Sequence, residues 1–351
     1  MSTIGYDVSI LEEQRLTGVE KLAMYLYSHL WEIATEDQHI LFCRSGNLPF
    51  QSIPANVKIQ KVKGKKFWRY KHLPQSIRLN KCEIFLSPVA ALPGFCSIPK
   101  LAYIHECPWL HNCAEKVSWK DRVTLWISAL RAKVLLTNSA STMNDIHREL
   151  PFSPKIEIIS PAADPFSNTQ EQLLQDTFKR YNIPSGKYCL FVSTIRPKKN
   201  VELLINTFRQ LTNINLVCAG KIQDKNITSG KPSNVFFTDY VSQEELFTLY
   251  KHASCFLYIS RNEGFGIPIL EAFSNHCPVI ASKCGSIPEV AGDAAYYIED
   301  WNINILAKAI SKVINDGNLQ KTMIEKGILQ AEKYTWHNSA KHLYTLIQKL
   351  T

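Results

Sequence analysis

Ser260-Arg-Asn-Glu263-Gly264-Phe265-Gly266-Ile267-Pro268-Ile-Leu-Glu271-Ala272 follows directly on Cys255-Phe-Leu-Tyr-Ile259, an apolar run with the length and composition of a buried strand. Pro268 suits the first turn of a helix, where its missing N–H would have found no partner. Gly264 and Gly266 let the chain turn sharply between strand and helix and leave backbone N–H groups uncovered. Strand, glycine turn and helix N-terminus together make a seat for an anion such as phosphate. Glu271 lies one turn beyond Ile267 on the same face and leans back toward the helix start, while Glu263 precedes the turn. Two carboxylates thus bracket the place of a phosphate-bearing ligand. The plainer reading is that acids near a helix start complement its dipole and glycines only build turns.

Outward from this stretch, strands alternate with helical segments. Tyr188-Cys-Leu-Phe-Val192 is a strand, followed by Ser193-Thr-Ile-Arg196-Pro197-Lys198-Lys199-Asn200 at the start of a helix. Three cations at a strand-to-helix turn suit a diphosphate, lysine as a point charge and arginine as a fork of donors. Asn215–Gly220 and Asn234–Phe237 continue the alternation, which predicts a parallel sheet.

The first half reads the same way, with strands at Ile4–Val8, His39–Cys43, Val57–Val62, Ile84–Pro88, Leu101–Ile104 and Val134–Asn138, and with Ile156–Pro161 closing the first domain. A helix follows Thr17-Gly18, with Val19, Leu22, Leu26, Leu30 and Ile33 at helical spacing. Trp119–Lys133 is another, its apolar face marked by Trp126 and Leu130. His105 falls just past a strand's carboxyl end, where open α/β sheets place ligands. Lys61-Val-Lys63-Gly-Lys65-Lys66-Phe67-Trp68-Arg69-Tyr70-Lys71 interleaves aromatics with cations. It suits a membrane surface, a phosphorylated lipid or nucleic acid, or else it is a solvated edge segment.

The 351 residues, 45% of them hydrophobic, favour two domains with proper cores. No apolar run reaches the roughly 20 residues of a membrane span, and the start lacks signal-peptide features, which predicts a cytoplasmic protein. Ten cysteines without close pairing read as small buried hydrophobes in a reducing compartment. The spacing of His105, Cys107, His111 and Cys113 matches no familiar zinc site, so no metal is expected. A net charge of +9 points to a polyanionic partner.

Glu263 and Glu271 around Gly-Phe-Gly and Pro268 resemble the signature of retaining nucleotide-sugar glycosyltransferases, family 4 of the GT-B-fold enzymes. Pro278–Ser282, Gly285–Ala294 and Asp239–Leu246 extend the resemblance over most of the second half. It implies two Rossmann-like, doubly wound α/β domains facing across a cleft: residues 1–167 for the acceptor, 168–186 as linker, 187–333 for the nucleotide sugar, and 334–351 as a helix crossing back. It implies transfer of a hexose with retention, catalysed by Glu263, His105, Lys199 and Arg196. Gly18, Lys198, Tyr240, Val241, Gly264, Phe265, Gly266, Ile267 and Glu271 would bind the donor, Tyr240 and Val241 at the base and Glu271 at the ribose. Several positions depart from the family pattern. Ser193-Thr194 replaces a Gly-Arg pair, Glu106 replaces the aspartate after the histidine, and Ala162-Ala163-Asp164 replaces Asn-Gly.

There is no Asp-x-Asp, and cations already neutralise the diphosphate, so metal independence is expected. The Pro-Lys-Lys-Asn loop resembles mannosyltransferase-like members and favours GDP-mannose over a UDP-sugar as donor substrate, with no cofactor. The acceptor implied is a glycan or polyprenyl-linked sugar for surface polysaccharide, reached at the inner face of an anionic membrane through Lys61–Lys71. The rival readings are a sugar-nucleotide-binding protein without activity and a nucleic-acid-binding protein; no nucleic-acid module supports the second.

Overall fold

The computed structural model describes residues 1–12, 16–50, 52–64, 67–111, 118–163 and 171–351. Lys65 and Lys66 of the basic stretch, Cys113, Asp164 and residues 168–170 of the expected linker lie outside them. The chain divides into two compact units. Met1–Leu110, Val117–Pro161 and Thr335–Thr351 belong to one, and Ala162–Tyr334 to the other.

In the first unit the order is β1 (Thr3–Asp7), α1 (Gly18–Ile33), β2 (Gln38–Cys43), β3 (Val57–Lys61), α2 (Leu73–Leu79), β4 (Ile84–Ser87), β5 (Lys100–Ile104), α3 (Trp119–Arg131), β6 (Val134–Thr137), α4 (Ala140–Glu149) and β7 (Lys155–Ile158). The second runs α5 (Glu171–Arg180), β8 (Tyr188–Val192), α6 (Val201–Phe208), β9 (Asn215–Ala219), α7 (Lys225–Thr228), β10 (Val235–Asp239), α8 (Gln243–His252) and β11 (Cys255–Tyr258). It continues through α9 (Ile267–Ser274), β12 (Val279–Ser282), α10 (Ile287–Ala291), β13 (Tyr296–Ile298), α11 (Ile303–Asn315) and α12 (Gly317–Ala331); α13 (Trp336–Gln348) returns to the first unit.

Each unit is built on a parallel sheet with the doubly wound order, β3-β2-β1-β4-β5-β6-β7 in one and β10-β9-β8-β11-β12-β13 in the other. The apolar strands follow from burial on both faces. In the second unit Tyr188, Leu190, Val217, Phe256, Tyr258 and Val279 point to one side, packed with Phe247, Ile269 and Phe273. Their alternates Cys189, Phe191, Cys218, Leu257 and Ile280 point to the other, beneath Leu204, Phe208, Ile310 and Val313. The cysteines of these strands are buried apolar fillers.

Chain order reverses between β1 and β4 in one sheet and between β8 and β11 in the other, so a crevice opens at the carboxyl ends of those strands. α13 packs on α1, with Trp336 stacked on Tyr25 at 5.5 Å and Tyr344 donating to Asp37 at 3.0 Å.

The structure differs from the sequence expectations in three places. Part of the expected linker is α5, whose Arg180 pairs with the buried Glu245. Trp68 of the basic stretch is core: its indole donates to the Val62 carbonyl at 3.1 Å, and Arg44 and Arg69 lie over its ring. Phe67 and Tyr70 remain exposed. In α3 the buried residues are Leu125 and Ser128, while Trp126 and Leu130 face solvent. Helical spacing identifies a stripe but not the side of the helix on which the core lies.

Candidate functional site

In the second unit the two strands that flank the switch point each end in a charged loop. After β8, Pro197–Lys199 forms a single 3-10 turn, closed by Asn200 in the left-handed conformation at φ 57° before α6 begins. Lys198 and Lys199 are buried despite their charge. After β11, the Arg261 amide donates to the Lys198 carbonyl at 3.0 Å, stitching one loop to the other. That register brings the Lys199 ammonium to 2.5 Å from Glu263 Oε1, 5.8 Å from the centre of the Tyr258 ring.

Burial opposes the Glu263 carboxylate, yet the charges of Lys199 and Lys198 outweigh it and hold the carboxyl below its usual range. Burial likewise dominates at Lys199, whose ammonium titrates below the usual lysine range although Glu263 pulls the other way; Lys198 and Arg196 add repulsion. Arg196, Lys198 and Lys199 against Glu263 leave the locus with surplus positive charge. Two further donors, Asn200 Nδ2 and Arg261 Nε, are buried with no hydrogen-bond partner among the described residues. Unpaired buried donors beside a cationic loop suit an anion. Sequence reasoning missed both, because only the Arg261–Lys198 register places them here.

The turn holding Glu263 is braced from β12 and beyond. Ser286 Oγ donates to the carbonyls of Glu263 at 3.1 Å and Phe265 at 2.8 Å, and Ser282 Oγ donates to that of Ser260 at 2.7 Å. Gly266, at φ 110°, precedes α9, whose first residue is Ile267. Phe265 packs edge-on to Tyr334, and Gly264 lies between Phe265 and Glu263 in the same turn. Glu271 is buried on α9 and accepts from the Tyr250 hydroxyl at 3.0 Å. At the end of β10, Tyr240 is half-exposed, whereas Val241 belongs to the core.

The remaining sequence candidates lie in the first unit. His105 follows β5, its Nε2 2.8 Å from the Pro88 carbonyl and its ring stacked 4.7 Å from that of Tyr103. It borders a hollow of about 220 Å³ shared with Glu106, Trp109 and Asp121. Gly18 is the first residue of α1, behind a capping box in which the Thr17 amide donates to Glu20 Oε2 at 2.9 Å. Among the described residues no three His, Cys, Asp or Glu side chains group as metal ligands.

His105 and the fully buried His39, which sits between Tyr6 OH at 2.7 Å and the Ala34 carbonyl at 3.0 Å, both titrate below the ordinary histidine value. Desolvation of the charged imidazole is the main cause in each. Between the depressed folded values and about 6.5 the unfolded chain binds more protons, so stability should rise with pH across that window. Urea midpoints from pH 5 to 8 check this, and His39→Gln should flatten the slope; a flat profile in the unaltered protein would refute the assignment. Glu263 acts only in more acid solution, where stability is lost as pH falls through its depressed value.

Residues 175–330 match the model of a family described as glycosyl transferases group 1. The chain is 27% identical over 259 residues to O-antigen chain mannosyltransferase B of Escherichia coli, a match covering 67% of this chain and 65%, just under two thirds, of that protein. Sucrose-phosphate synthase from Thermosynechococcus elongatus superposes with a TM-score of 0.80 at 15% identity, over 100% of this chain and 99% of its own. Anabaena HepE in complex with UDP-glucose gives 0.77 at 12% identity, over 100% of both chains. The second unit thus matches the group 1 glycosyl transferase model over most of its length, and the two doubly wound parallel sheets give the chain the GT-B fold.

Proposed function

We propose that this chain is a retaining, metal-independent hexosyltransferase. In this reading it moves mannose from a nucleoside diphosphate sugar to a glycan or lipid-linked acceptor in surface polysaccharide synthesis. The observation that carries the reading is the buried Lys199–Glu263 pair at the mouth of β8 and β11, with Lys198 and Arg196 beside it and unpaired donors at Asn200 and Arg261. Lys199, Arg196 and the amides from Gly264 to Ile267 hold the diphosphate and stabilise charge on the leaving group. Such preorganised electrostatics is usually the main source of rate enhancement in enzymes. Glu263 orients the sugar hydroxyls, and Glu271, steadied by Tyr250, takes the ribose. Tyr240 and Val241 border the base through main-chain atoms. His105 is the first unit's candidate for sugar contact. Mannose is favoured by the Pro-Lys-Lys-Asn loop and by the name of the Escherichia coli relative.

No helix among the described residues is long and apolar enough to cross a membrane. The proposed place of work is the cytoplasmic face of one, where lipid-linked acceptors present their sugars.

Thermal-shift measurements with UDP-, GDP-, ADP- and dTDP-sugars test the donor. A ligand at a hundred times its Kd stabilises by about 2.7 kcal/mol, so GDP-mannose should raise the midpoint by several degrees. Labelled mannose should then pass to a lipid-linked acceptor at a rate that EDTA leaves unchanged. If no nucleotide sugar moves the midpoint, the donor site proposed here does not exist.

A further inference from the structure

Helix α3 wears its apolar face outward. Trp119, Val123, Trp126, Ile127 and Leu130 recur at helical spacing and are all exposed, Trp119 at 71% and Leu130 at 83%, while the core side of the helix is Leu125 and Ser128. Scattered exposed apolar residues are ordinary, but a continuous stripe on one helix marks a docking surface. The stripe is held rigidly from beneath. The buried Glu149 carboxylate accepts from Arg122 Nε at 2.6 Å, Trp126 Nε1 at 2.6 Å and Trp109 Nε1 at 3.0 Å, which fixes the Trp126 ring with one side in water.

The rim of the stripe is cationic. Residues 119–133 carry Lys120, Arg131 and Lys133 against Asp121, besides Arg122, whose charge Glu149 balances. Arg131 donates to the Pro93 carbonyl at 2.9 Å, tying the end of α3 to the loop that presents Phe95, itself 91% exposed. Arg78 and Lys81 stand beside Phe95 around a shallow hollow. Charge decides the occupant. A second copy of this chain meeting the stripe symmetrically would set the cationic rim against itself. Lipid phosphates would neutralise it instead, and tryptophan, leucine and isoleucine on a basic helix face suit the boundary between headgroups and acyl chains.

We infer that α3 lies in an anionic phospholipid surface, its Trp119–Leu130 stripe inserted and its flanking cations on lipid phosphates. This seat is distinct from the Lys61–Lys71 stretch, whose Trp68 is turned into the core, and it stands independently of the reaction proposed above.

The full chain is sedimented with vesicles of phosphatidylglycerol and phosphatidylcholine in equal parts, and with phosphatidylcholine alone, at about 0.1 M salt. Binding to the anionic vesicles only is expected, with tryptophan emission shifted to the blue and quenched by brominated acyl chains. The double variant Ile127→Glu/Leu130→Glu should bind at least about tenfold less. Its melting midpoint and its shift with nucleotide sugars should not change, because both positions are exposed and far in sequence from the donor loops. Trp119→Phe should remove part of the quenched emission while leaving sedimentation intact. The inference is overturned if the unaltered chain ignores both vesicles, or if the double variant binds as well as the parent. It is also overturned if the double variant instead dissolves a dimer that never bound lipid.

Discussion

Glu263→Ala should destabilise the second unit by about 3–5 kcal/mol and remove transfer activity. The first figure follows from leaving the Lys199 ammonium buried without its carboxylate, the costly way to break an internal ion pair. The loss of activity follows from the role proposed for Glu263, in orienting the sugar and holding Lys199 at the diphosphate; removing one preorganised partner of a developing charge costs about 10²–10³ in kcat. A double-mutant cycle separates the two effects. Lys199→Met/Glu263→Leu keeps much of the volume while removing both charges, and it should recover most of the lost stability. It should recover none of the activity. Urea midpoints and transfer rates for the four proteins complete the cycle. If Glu263→Ala keeps wild-type turnover, the pair is a structural ion pair and the proposed mechanism fails.

Gly285→Ala should be nearly as damaging to transfer, though it alters no charged group. Gly285 sits at φ 55°, where an L side chain is strained, and a Cβ there would lie 2.6 Å from both Asn262 Oδ1 and the Glu263 carbonyl oxygen and 3.0 Å from the Glu263 nitrogen. Backbone cannot yield as a flexible side chain can, so the turn carrying Glu263 must move. A displacement of about 1 Å in a positioned group costs on the order of 10²-fold in rate. Gly230→Ala is the control: its φ is 65°, but nothing lies within 4 Å of the added carbon. It should carry a backbone penalty of about 1 kcal/mol and leave turnover alone. Equal activity losses in the two variants would mean that strain, not the approach to Glu263, sets the effect.

Much of this molecule is legible in its sequence for a plain physical reason. Parallel strands buried on both faces must be continuously apolar, so β8, β9 and β11 stand out, and the charged or glycine-rich loops after them mark the crevice side of the sheet. Lys199 and Glu263 are both candidates from their loops; their direct contact is not, since it depends on the hydrogen bond between Arg261 and Lys198 across two strands. Asn200 and Arg261 escape notice for the same reason, and so does Tyr250, which reaches Glu271 from a different helix. Trp68 and α3 mislead in opposite directions. An aromatic among lysines reads as surface and is core, while an apolar stripe reads as core and is surface. Local pattern records that a side chain is apolar, and only packing decides what it faces.

The last helix has a consequence for biosynthesis. When the ribosome has added Tyr334, every residue of the second unit exists, but the first unit still lacks Trp336 to stack on Tyr25, Ser339 to bond the Ser160 carbonyl and Tyr344 to bond Asp37. The half translated first is therefore completed last. Until Trp336–Gln348 is made, the flank of α1 that will receive α13 is uncovered, so a nascent chain stalled just after Tyr334 carries the whole second unit joined to an open first unit.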